Sequence, residues 1–316
     1  MYTTCVSQES VEEIGGRSAC IRQLRERIKK LAKFDVSVLL LGESGTGKEL
    51  VARKIHSLSN RRNGPFVGVN CAAIHESLLE SELFGHESGA FTGAGSSTIG
   101  FFRAAQGGTI LLDEVGDMSP QLQSKLLRVL EERAVVPVGS TKAVPIDIRV
   151  ISATHHDLQA VVSEGRFRQD LYYRLNVITL KIAALRDRPE DIIPLTEHII
   201  CKVADLLGMS QKQLTPEAAE LMQRYDWPGN VRQLGNVIQQ AYVLGDSEQI
   251  DTASLPPELH ESPGTNGKEF PSLDETVNQH LADALGLAGG VRSRAARLLG
   301  VDRKTISRMM QRYGLT

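Results

Sequence analysis

The sequence has no apolar run that approaches the ~18–20 residues needed to span a bilayer, which excludes a helical membrane protein. Its first residues lack the basic stretch and apolar core of a secretion signal. Cysteine is scarce: Cys5, Cys20, Cys71 and Cys201 are scattered, with no Cys-x-x-Cys pair and no histidine cluster beside them. That argues against a disulfide framework or a zinc site and fits a reducing cytoplasm. Internal repeats of ~20–50 residues and low-complexity tracts are absent as well. Nor is there an excess of one charge, since 36 basic and 38 acidic residues leave a net −2.

What remains is globular: 316 residues, 41% hydrophobic and 23% charged, enough for two or three folding units with ample core. The near-zero charge hides an asymmetry. Residues 291–316 carry seven bases and one acid, a net +6, so the first 290 residues sum to −8. An acidic body with a basic end is a candidate for nucleic-acid binding at that end only.

Ile21, Leu24, Ile28 and Leu31 recur at helical spacing and predict an amphipathic helix over 18–33. The run 36–41 reads as a buried strand ending at Gly42. Further short apolar runs occur at 66–69, 109–112, 148–153 and 177–181. Helical patterns lie between several of these, as at Leu122, Leu126 and Leu130 after the N-cap signal Ser119-Pro120. Strands alternating with helices predict a parallel sheet. Beyond Pro189 the pattern is helical only, through residue 250. From Leu255 to Gly267 three prolines and two glycines among polar residues read as a linker.

Gly42-Glu43-Ser44-Gly45-Thr46-Gly47-Lys48 matches G-x-x-x-x-G-K. Glycines let backbone N–H groups wrap phosphates, the following helix N-terminus favours their charge, and Lys48 can reach the β- and γ-phosphates of a nucleotide. Glu49 stands where the generic motif has a Mg²⁺-binding Ser or Thr. An acidic pair should complete such a site at the end of a buried strand. Ile110-Leu111-Leu112-Asp113-Glu114 provides it, 65 residues after Lys48. Asp113 would hold Mg²⁺ through water, and Glu114 would polarise the attacking water.

With those residues placed, the chain from Ile14 to Thr316 resembles the AAA+ activators of sigma-54-dependent transcription. The most specific piece is Gly89-Ala90-Phe91-Thr92-Gly93-Ala94, the loop that touches the sigma factor in that family. The resemblance implies an α/β AAA+ P-loop NTPase with a parallel sheet and helical lid, then a small all-α helix–turn–helix domain. The implied boundaries are a tail at 1–13, an AAA+ domain at 14–258 (α/β part 14–186, lid 187–258), a linker at 259–271 and a Fis-type domain at 272–316.

The same resemblance implies roles residue by residue. Asn70 would restrain the catalytic Glu114, and Thr154 would be the γ-phosphate sensor, with His155 standing where many relatives have asparagine. A zinc role for His155-His156 is not expected, because adjacent side chains diverge on a strand. Arg168 and Arg174 would be arginine fingers acting on a neighbouring subunit in a ring, typically hexameric. Six residues rotate about 240° around a helix, so Arg168 must precede the helix for both to reach one phosphate. Asn230 would cap a lid helix whose first turn carries Arg232 toward the nucleotide.

At the C-terminus, Ala295, Ala296, Leu299, Gly300, Val301, Ile306 and Met309 fit helix–turn–helix spacing. Asp302 is a natural N-cap for the second helix, and Ile306, Met309, Met310 and Tyr313 form its buried stripe. Arg303, Lys304, Ser307, Arg308 and Gln311 then project outward toward a DNA major groove. Leu273, Val277, Leu281 and Leu285 suggest a dimerising helix.

The implied function is an ATP- and Mg²⁺-dependent activator that binds enhancer DNA and remodels sigma-54 RNA polymerase. A replication-initiator-like ATPase also ends in a helix–turn–helix but gives no reason for the loop at 89–94. A repressor that merely binds ATP would not need an intact Asp113/Glu114 pair.

Overall fold

The computed structural model describes residues 14–73, 76–90, 96–245 and 247–260, together with Ala284, Ala288, the helix Arg292–Leu298, Ile306 and Met310. The chain divides into two units, Met1–His260 and Glu261–Thr316. Among the described residues no helix is long and apolar enough to cross a membrane.

The first unit runs α1 (Ala19–Leu31), β1 (Val38–Leu41), α2 (Lys48–Ser57), β2 (Phe66–Asn70), α3 (Glu76–Phe84), α4 (Phe101–Ala104), β3 (Thr109–Asp113), α5 (Pro120–Glu132), a short ribbon of β4 (Ala134–Val135) and β5 (Val144–Pro145), β6 (Arg149–Thr154), α6 (Leu158–Ser163), α7 (Gln169–Leu175) and β7 (Ile178–Lys181). Five strands form one parallel sheet in the order β2-β3-β6-β1-β7. Side chains alternate across a strand, so the sheet feeds two cores. Leu39, Ile110 and Leu112 pack with α3 and α5 on one face, whereas Val38, Leu40, Leu111 and Ile151 pack with α1 and α2 on the other. The expected stripe of α1 is buried at all four positions. Ser119 caps α5 by accepting from the Leu122 N–H, with Pro120 in its first turn.

Register brings the strand ends level: Asn70 lies opposite Asp113, and Leu41 opposite both Thr154 and Lys181. The loops after β1, β3 and β6 therefore open on one carboxyl edge, where open parallel sheets bind ligands.

The chain continues with α8 (Ile192–Leu207), β8 (Gln213–Leu214), α9 (Pro216–Arg224), α10 (Asn230–Leu244) and β9 (Gln249–Ile250), around a core centred on Trp227, Tyr242 and Met222. This region is not purely helical, as the sequence pattern suggested. β8 pairs in parallel with β9, two residues each, a ladder too short to leave a period in the sequence.

In the second unit, Ala295 and Ala296 are buried on the helix Arg292–Leu298, and Ile306 and Met310 are helical and buried, as the expected stripe requires. Leu273, Val277, Leu281, Leu285, Leu299 to Asp302, Met309 and Tyr313 lie outside the described residues.

Candidate nucleotide site

The motif Gly42–Lys48 leaves β1 and enters α2 with Gly45 at φ +78° and Gly47 at φ +98°, the left-handed region that glycine adopts without strain. Thr46 Oγ1 donates to the Glu43 carbonyl at 2.8 Å. Lys48 is buried; its Nζ donates to the Gly42 carbonyl at 3.0 Å and reaches Glu114 Oε1 at 3.1 Å. Glu49 pairs with Arg53 one turn along α2, at 2.7 Å.

Glu114 leaves β3 in the left-handed conformation, φ 53° and ψ 47°, which costs a residue with a Cβ about 1–2 kcal/mol. Its Oε2 accepts from the His155 N–H at 3.1 Å and faces His155 Nδ1 at 2.8 Å. Burial pushes the Glu114 carboxyl up, but the hydrogen bonds from His155 and Lys48 and the Lys48 charge outweigh it and hold the group below the usual carboxylate range. Asp113 goes the other way: burial, reinforced by the Glu114 charge, raises it despite Lys48. Half-buried, negatively surrounded and all oxygen, Asp113 suits a hard divalent cation that would relieve this crowding.

Asn70 shares the register of Asp113, yet no hydrogen bond joins it to Glu114. Its Oδ1 accepts from the N–H groups of Ala72 and Ala73 in a local turn. The grip on Glu114 comes from His155 and Lys48 instead. Thr154 is buried at the end of β6, where its Oγ1 accepts from the His156 N–H at 3.1 Å. His155 and His156 lie in a bend past the strand, so their rings do not diverge as expected. The centroids are 4.0 Å apart, and His156 Nε2 faces Asp117 Oδ1 at 2.8 Å.

From the lid, Arg232 donates its backbone N–H to the Gly45 carbonyl and its Nη1 to Ser44 Oγ at 3.1 Å. Asn230 does not cap α10. The N-cap position is Gly229, and Asn230 is fully buried at φ 51°. Its Oδ1 accepts from the Leu185 N–H at 2.7 Å, while its Nδ2 donates to Glu43 Oε2 and to the Ser44 carbonyl, each at 3.1 Å. Arg186 Nη1 joins Glu43 at 2.9 Å. This latch escapes sequence reasoning, although Trp227-Pro228-Gly229-Asn230 does signal a turn.

Arg168 does precede its helix, as the residue before α7, and its guanidinium pairs with Asp170 at 2.7 Å. Arg174 Nη2 donates to the Leu130 carbonyl near the end of α5. Neither bonds to the P-loop or the acid pair of its own chain. In the segment 89–94, Gly89 has φ +81° and the Ala90 N–H donates to the Glu87 carbonyl. Phe91, Thr92, Gly93 and Ala94 lie outside the described residues, as do Arg303, Lys304, Ser307, Arg308 and Gln311.

Residues 14–181 match the model of the sigma-54 interaction domain, 186–271 that of the AAA+ ATPase lid domain, and 278–313 that of Fis-family bacterial regulatory proteins. The chain is 46% identical over 299 residues to the transcriptional regulatory protein ZraR of Escherichia coli, covering 94% of this chain and 68% of ZraR. It is 50% identical over 252 residues to the sigma54-dependent transcriptional activator SfnR of Pseudomonas putida, covering 78% and 69%. Its fold is similar to that of NtrX from Brucella abortus in complex with ATP, with a TM-score of 0.74, 35% identity and coverage of 98% and 72%.

Proposed function

Because the chain belongs to the sigma-54-dependent transcriptional activators, ATPases of the AAA+ class with a Fis-type DNA-binding domain, we propose that it binds enhancer DNA and uses ATP hydrolysis to remodel sigma-54 RNA polymerase for promoter opening. The observation that carries the ATP-hydrolysing part of this reading is the ion pair between buried Lys48 and Glu114 at the mouth of the P-loop.

A triphosphate offers Lys48 more negative charge than one carboxylate. The lysine then turns to the phosphates and frees Glu114 Oε1 to accept a proton from water. The P-loop glycines and the backbone of Gly45 to Lys48 would hold the phosphates, with Thr154 as the sensor of the terminal one and Arg232 approaching from the lid. Mg²⁺ on Asp113 would neutralise charge on the transferred phosphoryl group. Arg168 and Arg174 serve the site of the next subunit in a ring, and the loop 89–94 carries the resulting movement to the sigma factor. Arg303, Lys304, Ser307, Arg308 and Gln311, whose spacing suits one face of a helix, read enhancer DNA in the cytoplasm, supported by the net +6 of the C-terminal segment.

The decisive test is Thr92→Ala. It lies in a Gly-rich segment about twenty residues before Asp113 and outside the phosphate-binding motifs, so its substitution need not disturb the phosphate site. ATP turnover and assembly are expected to persist while sigma-54 binding and promoter opening are lost. Full transcription by Thr92→Ala overturns the role of this residue. Wild-type protein that hydrolyses ATP yet never engages sigma-54 overturns the proposed function.

A further inference from the structure

We propose that His155 is the positioning residue for Glu114, the group that keeps its carboxylate aimed at the phosphate end of the site once Lys48 has turned away. This rests on the reading of Glu114 as the residue that activates water.

Glu114 Oε2 receives two N–H groups from this one residue, the backbone at 3.1 Å and the ring Nδ1 at 2.8 Å. An ionised carboxylate only accepts, so Nδ1 carries the hydrogen in this contact. The ring is itself braced. It lies 4.0 Å from the His156 ring, tilted by 36°, and His156 Nε2 is held by Asp117 Oδ1 at 2.8 Å. Asp117 ends the turn Val115–Asp117 that begins directly after Glu114. The contacts therefore close a circuit, Glu114 to His155 to His156 to Asp117, and a rotation of Glu114 has to break it.

The other two candidates for this duty are otherwise engaged. Asn70 is committed to the N–H groups of Ala72 and Ala73. Lys48 holds Oε1, but as the P-loop lysine it is the partner that a triphosphate draws away. His155 alone then keeps Oε2, leaving Oε1 for water. Exposed at the edge of the site, with a 44% accessible side chain, it contributes to orientation and little to the core.

Atom positions supply the test. The Nδ2 of asparagine branches from Cγ as the Nδ1 of histidine does, whereas the amide nitrogen of glutamine lies one bond farther out, where Nε2 was. Steady-state ATPase of the full chain with Mg-ATP is measured for wild type, His155→Ala, His155→Gln, His155→Asn and, as control, Glu114→Gln. His155→Ala and His155→Gln are expected to lose kcat by ~10–100-fold, the scale of a misplacement near 1 Å, with KM for ATP within about twofold of wild type. His155→Asn is expected to recover most of the lost kcat.

An inactive Glu114→Gln beside a His155→Ala of wild-type kcat overturns the positioning role and spares Glu114. Equal losses in Asn, Gln and Ala variants also overturn it, since a structural ring would not distinguish the amides. A raised KM with unchanged kcat reassigns His155 to nucleotide binding and overturns it too. Normal turnover by Glu114→Gln removes the underlying reading instead.

Discussion

Cys71 lies directly after β2, its backbone N–H bonded to the Asp113 carbonyl, so its thiol shares the nucleotide site's negative field. Burial pushes this thiol up to about 12, with Asp113, Asp117 and Glu114 adding to the effect. Alkylation needs the thiolate, and at pH 8 a group titrating near 12 stays protonated. Cys20 is exposed on α1 and lacks that burial. Iodoacetamide at pH 8 should therefore modify Cys20 in the native chain and reach Cys71 only after denaturation, as read by peptide mass mapping. Native modification of Cys71 at the rate of Cys20 contradicts this account. The sequence shows Cys71 beside Asn70 but cannot show the burial, because β2 meets β3 across about forty residues of intervening chain.

At the scale of elements, the latch between α10 and the P-loop illustrates what a sequence conveys. Strands β1, β3 and β6 and helices α1 and α5 are legible because apolar periodicity is local information. The phosphate loop and the acid pair are legible for the same reason, as short motifs at strand ends. Asn230 is not, since its partners Glu43 and Ser44 lie 187 and 186 residues away. Read locally, an asparagine at a helix start is a cap. Folded, it is fully buried in the left-handed region and bonds Leu185, Glu43 and Ser44. Asn230→Ala leaves the Leu185 N–H without its acceptor and the Ser44 carbonyl without its donor, and adds backbone strain at φ 51°. The expected loss of unfolding free energy is about 2–4 kcal/mol, measured by denaturant titration. Asn230→Gly relieves the strain and keeps the loss of bonds, so it should lie between alanine and wild type. Equal stabilities for the two variants would show that strain has no part in the effect.

At the scale of the whole molecule, the proposed ring depends on two arginines that serve local purposes within one chain. Arg168 pairs with Asp170 in contact with water, and Arg174 lies against the last turn of α5. Neither engagement opposes a role across an interface. A solvent-exposed ion pair contributes little and is screened by salt, whereas an arginine at a phosphoryl-transfer transition state contributes ~10³–10⁵ in rate. The exchange therefore favours leaving Asp170 whenever a neighbour's terminal phosphate is within reach. Within one chain neither guanidinium bonds to the Lys48–Glu114 cluster, so the proposed role would not compete with contacts inside that site. The consequence is a complementation experiment. Arg168→Ala keeps Lys48 but lacks the finger, Lys48→Ala keeps the finger but lacks the phosphate lysine, and each alone should be inactive. In rings assembled from equal amounts at random, a site works when a chain with intact Lys48 meets a neighbour with intact Arg168. That occurs at about a quarter of the interfaces of a closed head-to-tail ring, so roughly a quarter of wild-type turnover should return on mixing. Activity should follow the product of the two mole fractions and peak at equal amounts. Mixed assemblies without any recovery would place Arg168 outside its neighbour's site, and a full-activity Arg168→Ala chain would deny it any part in hydrolysis.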